Sequence, residues 1–397
     1  MTRVAMREEG LLASVRDALC RAESPRIAMV RPCTGEEEKR AVSEVLDSGI
    51  LAQGPAVRDF EKAFAAFCGV EHAVAVANGT LALHAALLAA GVGEGAEVVT
   101  TPFSFIATAN AVLMAGARPV FADVDPVTLN LDPESARSAV TPDTCAILVV
   151  HLYGRPCPMD AFRSLAQETG ARLIEDACQA HGAEHRGRRA GALGDMGCFS
   201  FYATKNMTCG EGGMITTDDG EAASRVARLR FHGQEPGGRY VHRELGYNYR
   251  LTDVAASIGL CQLAKLPAMN GIRAGNAAIY DRLLGGLPGL EIPVRQDGIV
   301  HAYHQYTVRI RESLFGLDRD GLARLLRGLG VETGIHYPLP LHIYPQFRSL
   351  GYAWGDFPRA EQASREVLSL PVGPHLGADE VEYVAACIRE VARRVAP

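Results

Sequence analysis

Three short segments of the 397-residue chain carry side chains whose type and placing could do chemistry: Asn78-Gly79-Thr80, Glu175-Asp176 and Lys205. The first follows the apolar run AVAVA at 73–77 and opens a helical pattern. Backbone amides, a hydroxyl and the positive end of a helix dipole then meet where an anion such as a phosphate can sit. The plain alternative is an Asn-Gly turn with Thr80 near a helix cap. Glu175-Asp176 ends another apolar run, and a carboxylate buried at a strand end is costly without a cationic partner. A protonated pyridine nitrogen is one such partner; an arginine, or a helix to cap, is the plainer one. Lys205 is one of only four lysines among 40 basic residues. Lys39, Lys62 and Lys265 lie on polar faces of amphipathic helices, where solvation explains them. Lys205 sits instead between the apolar runs CFSF (198–201) and MITT (214–217), beside Gly210-Glu211-Gly212-Gly213. In a chain that otherwise prefers arginine this suggests that a primary amine is required, because arginine forms no imine. A surface loop lysine is the alternative.

The elements that must position these residues follow from hydrophobic periodicity. Helices are expected over 36–48, 56–67 and 80–90, and over about 105–115 and 159–168. Buried strands are expected at 73–77, 97–101, 118–123, 145–150 and 171–176, with CFSF and MITT joining the same sheet. Strands separated by helical crossovers predict a mostly parallel, doubly wound α/β sheet covered on both faces. After a helix at 252–265 the texture changes: Pro267 reads as a break, a helix spans Arg273 to Leu284, and GGLPGLEIP (285–293) is turn-rich. One strand at 303–310 and helices near 318–328, 359–368 and 378–394 predict a smaller C-terminal α+β domain. The expected organisation is an N-terminal extension over 1–30, a large domain over 31–265 and a small domain over 266–397.

Composition narrows the function classes. A net charge of −6, a pI near 6.1 and no basic block argue against a nucleic-acid partner. The longest uncharged stretch, 98–117, divides into a strand and a helix, so no membrane span is expected. Ten scattered cysteines without a CxxC pair, and no apolar leader in MTRVAMREEG, point to reduced thiols and a cytoplasmic location. HGAEH (181–185) lacks the glutamate placement of a zinc-protease helix, so no metal is expected. GVGEGA (91–96) follows a helix, not a strand, and is out of context for dinucleotide binding.

A phosphate cradle, a strand-end aspartate and a loop lysine, in that chain order on such a sheet, are the parts pyridoxal 5'-phosphate (PLP) requires: an anchor, a pyridinium partner and an amine. The strings that carry a family resemblance include these residues: ANGTLALHAAL, TTPFSFIATANAVLMAGARPVFADVD, EDACQAHGA, GDMGCFSFYATKNMTCGEGGM, LGYNYRLTDVAASIG and HYPLPLH. Over about residues 28–395 the chain resembles the DegT/StrS family of PLP-dependent sugar aminotransferases, a branch of the fold-type I aminotransferases.

The resemblance implies that Gly79, Thr80 and Ser200 hold the cofactor phosphate and that Phe105 stacks on the ring. It makes Asp176 the partner of the pyridine nitrogen, places Gln179 near the ring hydroxyl and makes Lys205 the covalent lysine. Asn248 would reach the phosphate in a neighbouring subunit, giving a homodimer with shared active sites. Arg250, Tyr337 and His342 would line the substrate side. The implied reaction moves an amino group from an amino acid, L-glutamate by family habit, through pyridoxamine phosphate to a nucleotide-linked keto sugar, a 4-keto-6-deoxy sugar first. A 3-keto sugar or keto-cyclitol is the alternative acceptor, and a catalytically silent regulatory relative is the non-enzyme alternative. Relatives that dehydrate carry histidine in place of Lys205, which argues against that branch. Cys209 stands where a smaller residue or threonine is expected, and residues 1–26 read as a helical extension beyond the resemblance.

Overall fold

The short apolar runs assemble into one seven-stranded sheet in the computed structural model, which describes residues 3–19, 26–235, 237–238 and 240–395. The strands are β1 (His72–Val76), β2 (Glu97–Thr100), β3 (Arg118–Phe121), β4 (Thr144–Val150), β5 (Arg172–Asp176), β6 (Met196–Ser200) and β7 (Gly213–Thr217), in spatial order β1-β7-β6-β5-β4-β2-β3. The pairs β2–β3, β2–β4, β4–β5 and β5–β6 are parallel, while β7 runs antiparallel to both β1 and β6. The connection matches the reversal: the loop of residues 201–212 between β6 and β7 forms no crossover helix, and β7 returns beside β6 antiparallel. That loop carries Lys205.

Alternation along each strand serves two cores. Val99, Ile147, Leu173 and Phe199 face helices Pro55–Cys68, Met159–Thr169 and the first half of Asp253–Leu284. Val98, Leu148, Ile174 and Ile215 face helices Gly79–Ala89, Ala107–Met114 and Gly220–Arg230. Both faces are thus covered, as expected of near-continuous apolar strands. Under the lysine loop the rings of Phe60, Phe64, Phe199 and Phe201 meet at centroid distances of 4.9–6.0 Å. Burial of each such ring contributes on the order of 2–3 kcal/mol.

A second lobe has a three-stranded antiparallel sheet of Leu290–Glu291, Tyr306–Ile310 and Val367–Leu370, with helices Arg319–Gly328 and Ala378–Val395. Its core includes Tyr280, Tyr306, Leu326, Leu370 and Ile388. The N-terminal helix Arg3–Ala18 packs here: Val15 is buried in this core, and Arg16 Nη2 donates to Gly328 O at 2.6 Å. Cys20 lies outside the described residues. Among those described, no helix is long and apolar enough to cross a membrane.

Three local expectations are corrected. Pro267 does not break the chain but lies inside one 32-residue helix, Asp253–Leu284, so the boundary drawn near residue 266 falls within a single element. A proline in a helix interior costs about 3 kcal/mol. Here Leu263, Leu266 and Met269 are anchored in the first core and Ala277, Tyr280 and Leu284 in the second, and that burial outweighs the loss. The helix expected to reach residue 368 ends at Glu366, because Val367–Leu370 pairs with Tyr306–Ile310 as a fully buried strand. Helices Pro133–Ala139 and Gly220–Arg230 were not anticipated.

Candidate active site

At the carboxyl ends of β1, β5 and β6 lies a cavity of about 690 Å³. Gly79, Thr80, Phe105 and Asp176 line it, as do Gln179, Ser200, Lys205 and Tyr337. Eight of the eleven residues singled out from sequence therefore converge on one site.

The geometry of the anion cradle starts with Asn78. Its Oδ1 accepts the Leu81 N–H at 3.0 Å, and its carbonyl accepts the Ala82 N–H at 3.0 Å. The capping reading is thus correct, and the cap leaves Gly79 and Thr80 on the cavity wall at the positive end of helix Gly79–Ala89. A Cβ at Gly79 would stand 2.6 Å from Ser200 Cβ and 3.1 Å from Cys178 Sγ, so only glycine permits this close approach.

Glu175 and Asp176 are adjacent on β5 and point to opposite faces. Glu175 is fully buried and structural: its carboxylate accepts N–H groups from Gly191, Leu193 and Gly194, each at 2.8 Å, and pairs with His151 Nε2 at 2.9 Å. Asp176 faces the cavity, with Oδ2 accepting from Thr108 Oγ1 at 2.7 Å and Oδ1 from the Cys178 N–H at 3.2 Å.

The lysine loop is held from both sides. Phe201 N–H donates to Gly212 O at 2.8 Å, and Lys205 N–H closes a turn onto Tyr202 O at 2.9 Å. Next to Lys205, the buried Asn206 donates from Nδ2 to Ala302 O (2.8 Å) and Asn270 Oδ1 (2.9 Å), tying the loop to the long helix and to the segment that leads into strand Tyr306–Ile310. Burial pushes the Lys205 ammonium down from the usual lysine range, opposed by the nearby Cys178 and Asp176. The same burial, with Lys205 close by, lowers His336 on the cavity wall to about 4. Burial thus shifts Lys205 toward the neutral amine, the nucleophilic form.

Phe105 is 55 % exposed and tilts against Tyr337 at 6.2 Å, an open platform rather than a core ring. Gln179 accepts the Tyr153 N–H at 2.7 Å and donates to the Tyr337 hydroxyl at 3.2 Å. Helix-end amides with hydroxyls for a phosphate, a flat apolar ring, a carboxylate and an amine are the donor set PLP requires, and the glycine cradle a Cβ would fill sits where its phosphate would be anchored.

Three predicted residues lie elsewhere on this chain. His342 is corrected: it is fully buried, with Nε2 3.2 Å from Glu361 Oε1 and its ring edge-on to Phe357 at 4.9 Å, so it packs a satellite core instead of lining the cavity. Arg250 donates from Nε to Asn248 Oδ1 at 3.0 Å and lies over the Phe231 ring at 4.9 Å. Neither it nor Asn248 lines the cavity. Cys209 is a packed thiol whose Sγ donates to Glu211 O at 3.2 Å. The thiol on the cavity wall is Cys178. Sequence reasoning also missed Ser104, Thr108, His304 and Gln305. Ser104 and Thr108 were detectable as hydroxyls spaced by four within an uncharged stretch.

The model of the DegT/DnrJ/EryC1/StrS aminotransferase family matches residues 32–389. The chain is 42% identical over 381 residues to the dTDP-3-amino-3,4,6-trideoxy-alpha-D-glucose transaminase of Streptomyces venezuelae, covering 94% of this chain and 98% of that protein. It is 43% identical over 363 residues to the pleiotropic regulatory protein of Geobacillus stearothermophilus, covering 91% of this chain and 95% of that one. Among solved structures it is similar to S. venezuelae DesV in complex with a ketimine intermediate, with 40% identity, a TM-score of 0.87 and coverage of 97% and 98%.

Proposed function

The chain belongs to the DegT/DnrJ/EryC1/StrS aminotransferase family, and from that premise we propose that it transfers an amino group from L-glutamate to a nucleotide-linked 4-keto-6-deoxy sugar. Its fold is that of the fold-type I aminotransferases, and the enzyme is a PLP-dependent sugar aminotransferase. The observation that carries the reading is the convergence of Lys205, Asp176 and the helix end at Asn78-Gly79-Thr80 on one cavity.

PLP, when bound, supplies an aldehyde carbon that condenses with amines and a pyridinium ring that takes up the electron pair released with a Cα proton. The chain's own groups do the rest. Lys205 Nζ would take the Cα proton of the amino donor and hand it back at the carbon that the cofactor's aldehyde supplies; with the keto sugar it would carry the proton in the opposite sense. Asp176 would hold the proton on the ring nitrogen. Phe105 would cover the ring face, and the helix end at Gly79 and Thr80 would anchor the phosphate. Asn248, off the cavity of its own chain, is assigned to the phosphate in a second copy, which makes the working unit a homodimer. A cytoplasmic setting is part of the same reading, in keeping with the free thiols of Cys68, Cys157, Cys178, Cys198 and Cys209.

The nucleotide-sugar class is supported by the name of the S. venezuelae transaminase, whose 3-amino product keeps a 3-keto acceptor as the first alternative. The regulatory name of the Geobacillus relative keeps a silent role as the non-enzyme one. To separate them, L-glutamate is added to the PLP-loaded protein while its visible absorbance is followed, and dTDP-linked 4-keto and 3-keto sugars are then supplied with product analysis by mass. Loss of the cofactor band with glutamate and its return with the 4-keto sugar is expected. Return with the 3-keto sugar alone moves the assignment, and no response to any donor supports the silent reading.

Gln305 is assigned to the sugar. Its side chain is 8 % exposed on the cavity wall, and Oε1 is fully buried with no hydrogen-bond partner. Such an acceptor costs about 1–3 kcal/mol until a donor reaches it, and a sugar hydroxyl is suited to that. Gln305→Leu should raise KM for the sugar about 10-fold while glutamate still bleaches the cofactor band at the wild-type rate. Equal damage to both half-reactions would argue against this role.

A further inference from the structure

We infer that Thr108, supported by Ser104, is a positioning residue that fixes the orientation of the Asp176 carboxylate; the inference rests on the PLP reading of the cavity. Asp176 is 6 % exposed, and a carboxylate so placed is costly unless donors replace the water it has lost. One donor is the backbone N–H of Cys178 on Oδ1, at 3.2 Å. The shorter contact, 2.7 Å, is the Thr108 hydroxyl on Oδ2.

Thr108 is fully buried in the first turn of helix Ala107–Met114, and its hydroxyl also lies 2.9 Å from Ser104 Oγ. A threonine hydroxyl has one proton to give, and an ionised carboxylate can only accept. The proton of Thr108 therefore goes to Asp176, and Thr108 accepts from Ser104. The result is a directed relay, Ser104 to Thr108 to Asp176, whose dipoles all present their positive ends toward the carboxylate and reinforce one another. Without it, the carboxylate would keep only the Cys178 N–H as donor and would be freer to turn from a ring nitrogen.

The test uses the full-length protein loaded with PLP. Thr108→Val removes the hydroxyl at nearly constant shape, Thr108→Ser keeps it, and Ser104→Ala removes only the outer member. Three quantities are read: affinity of the apo protein for PLP, the absorbance spectrum of the bound cofactor, and kcat and KM for glutamate and for the sugar. In Thr108→Val, kcat of both half-reactions is expected to fall about 10- to 100-fold, the size of one lost hydrogen bond to a charged group. Sugar KM should be unchanged, the cofactor band displaced and PLP affinity weakened. Thr108→Ser should restore all of these, and Ser104→Ala should show a smaller displacement in the same direction. A wild-type spectrum and kcat in Thr108→Val would overturn the assignment, as would a Thr108→Ser protein as impaired as Thr108→Val, since packing would then be the cause. Should Thr108→Val fail to fold, Ser104→Ala decides: a wild-type spectrum there removes the relay. If the wild-type protein itself binds no PLP, the functional reading fails, and the two failures are thereby distinguishable.

Discussion

Replacing Lys205 by alanine should lower transamination by at least about 10³-fold, since one group serves as both covalent partner and proton carrier, and proton transfer alone contributes about 10²–10⁴-fold. The loop around it is fixed by contacts that do not involve its side chain: the Phe201–Gly212 pairing and the Asn206 bonds to Ala302 and Asn270. The variant should accordingly keep its circular dichroism and its cavity. Lys205→Arg should be equally inactive, because guanidinium neither loses its proton nor forms an imine. Single-turnover absorbance with L-glutamate checks both variants; conversion by Lys205→Ala at the wild-type rate would remove Lys205 from the mechanism.

The second large effect is expected at Asp176. Asp176→Asn retains an oxygen for the Thr108 hydroxyl but has no charge with which to hold a proton on a ring nitrogen, and turnover should fall by roughly 10²–10³-fold, the scale of losing one preorganised electrostatic partner. Asp176→Ala should be worse in a different way. It leaves the Cys178 N–H without its acceptor, while the Thr108 hydroxyl keeps Ser104 as partner, adding a stability cost of about 1–3 kcal/mol. Stopped-flow rates for each half-reaction, set beside thermal unfolding midpoints, separate the two. An Asn variant with unchanged half-reaction rates would show that the carboxylate is structural, as Glu175 is.

That contrast also marks how far the chain could be read without coordinates. Period two makes neighbours on a strand face opposite ways, so one of Glu175 and Asp176 had to turn from the cavity; which one depends on the helices covering each face, a tertiary fact. Lys205 was legible because arginine is used almost everywhere else, and the parallel strands because their apolar runs alternate with helices. The reversed strand β7 was not, since its direction depends on the path of a loop, residues 201–212, that forms no crossover helix. Thr108 bonds a residue 68 positions away, a contact no local pattern encodes. His342 misled for the opposite reason: the HYPLPLH string identifies the segment but not that its last histidine is spent on Glu361. Pro267 was overridden by burial on both sides of it.

The uninterrupted helix Asp253–Leu284 has a further consequence, for folding. Its first half completes the core under the sheet and its second half the core of the other lobe, so neither lobe owns all of its own hydrophobic interior. A fragment ending near residue 265 would lose the part of the helix that carries Met269 and Asn270, and with it the anchor of the lysine loop on Asn270. The complementary fragment would retain Tyr280 and Leu284 on a helix deprived of its N-terminal half. The two lobes should therefore melt as one cooperative unit, and damage to either should be felt at the lysine loop.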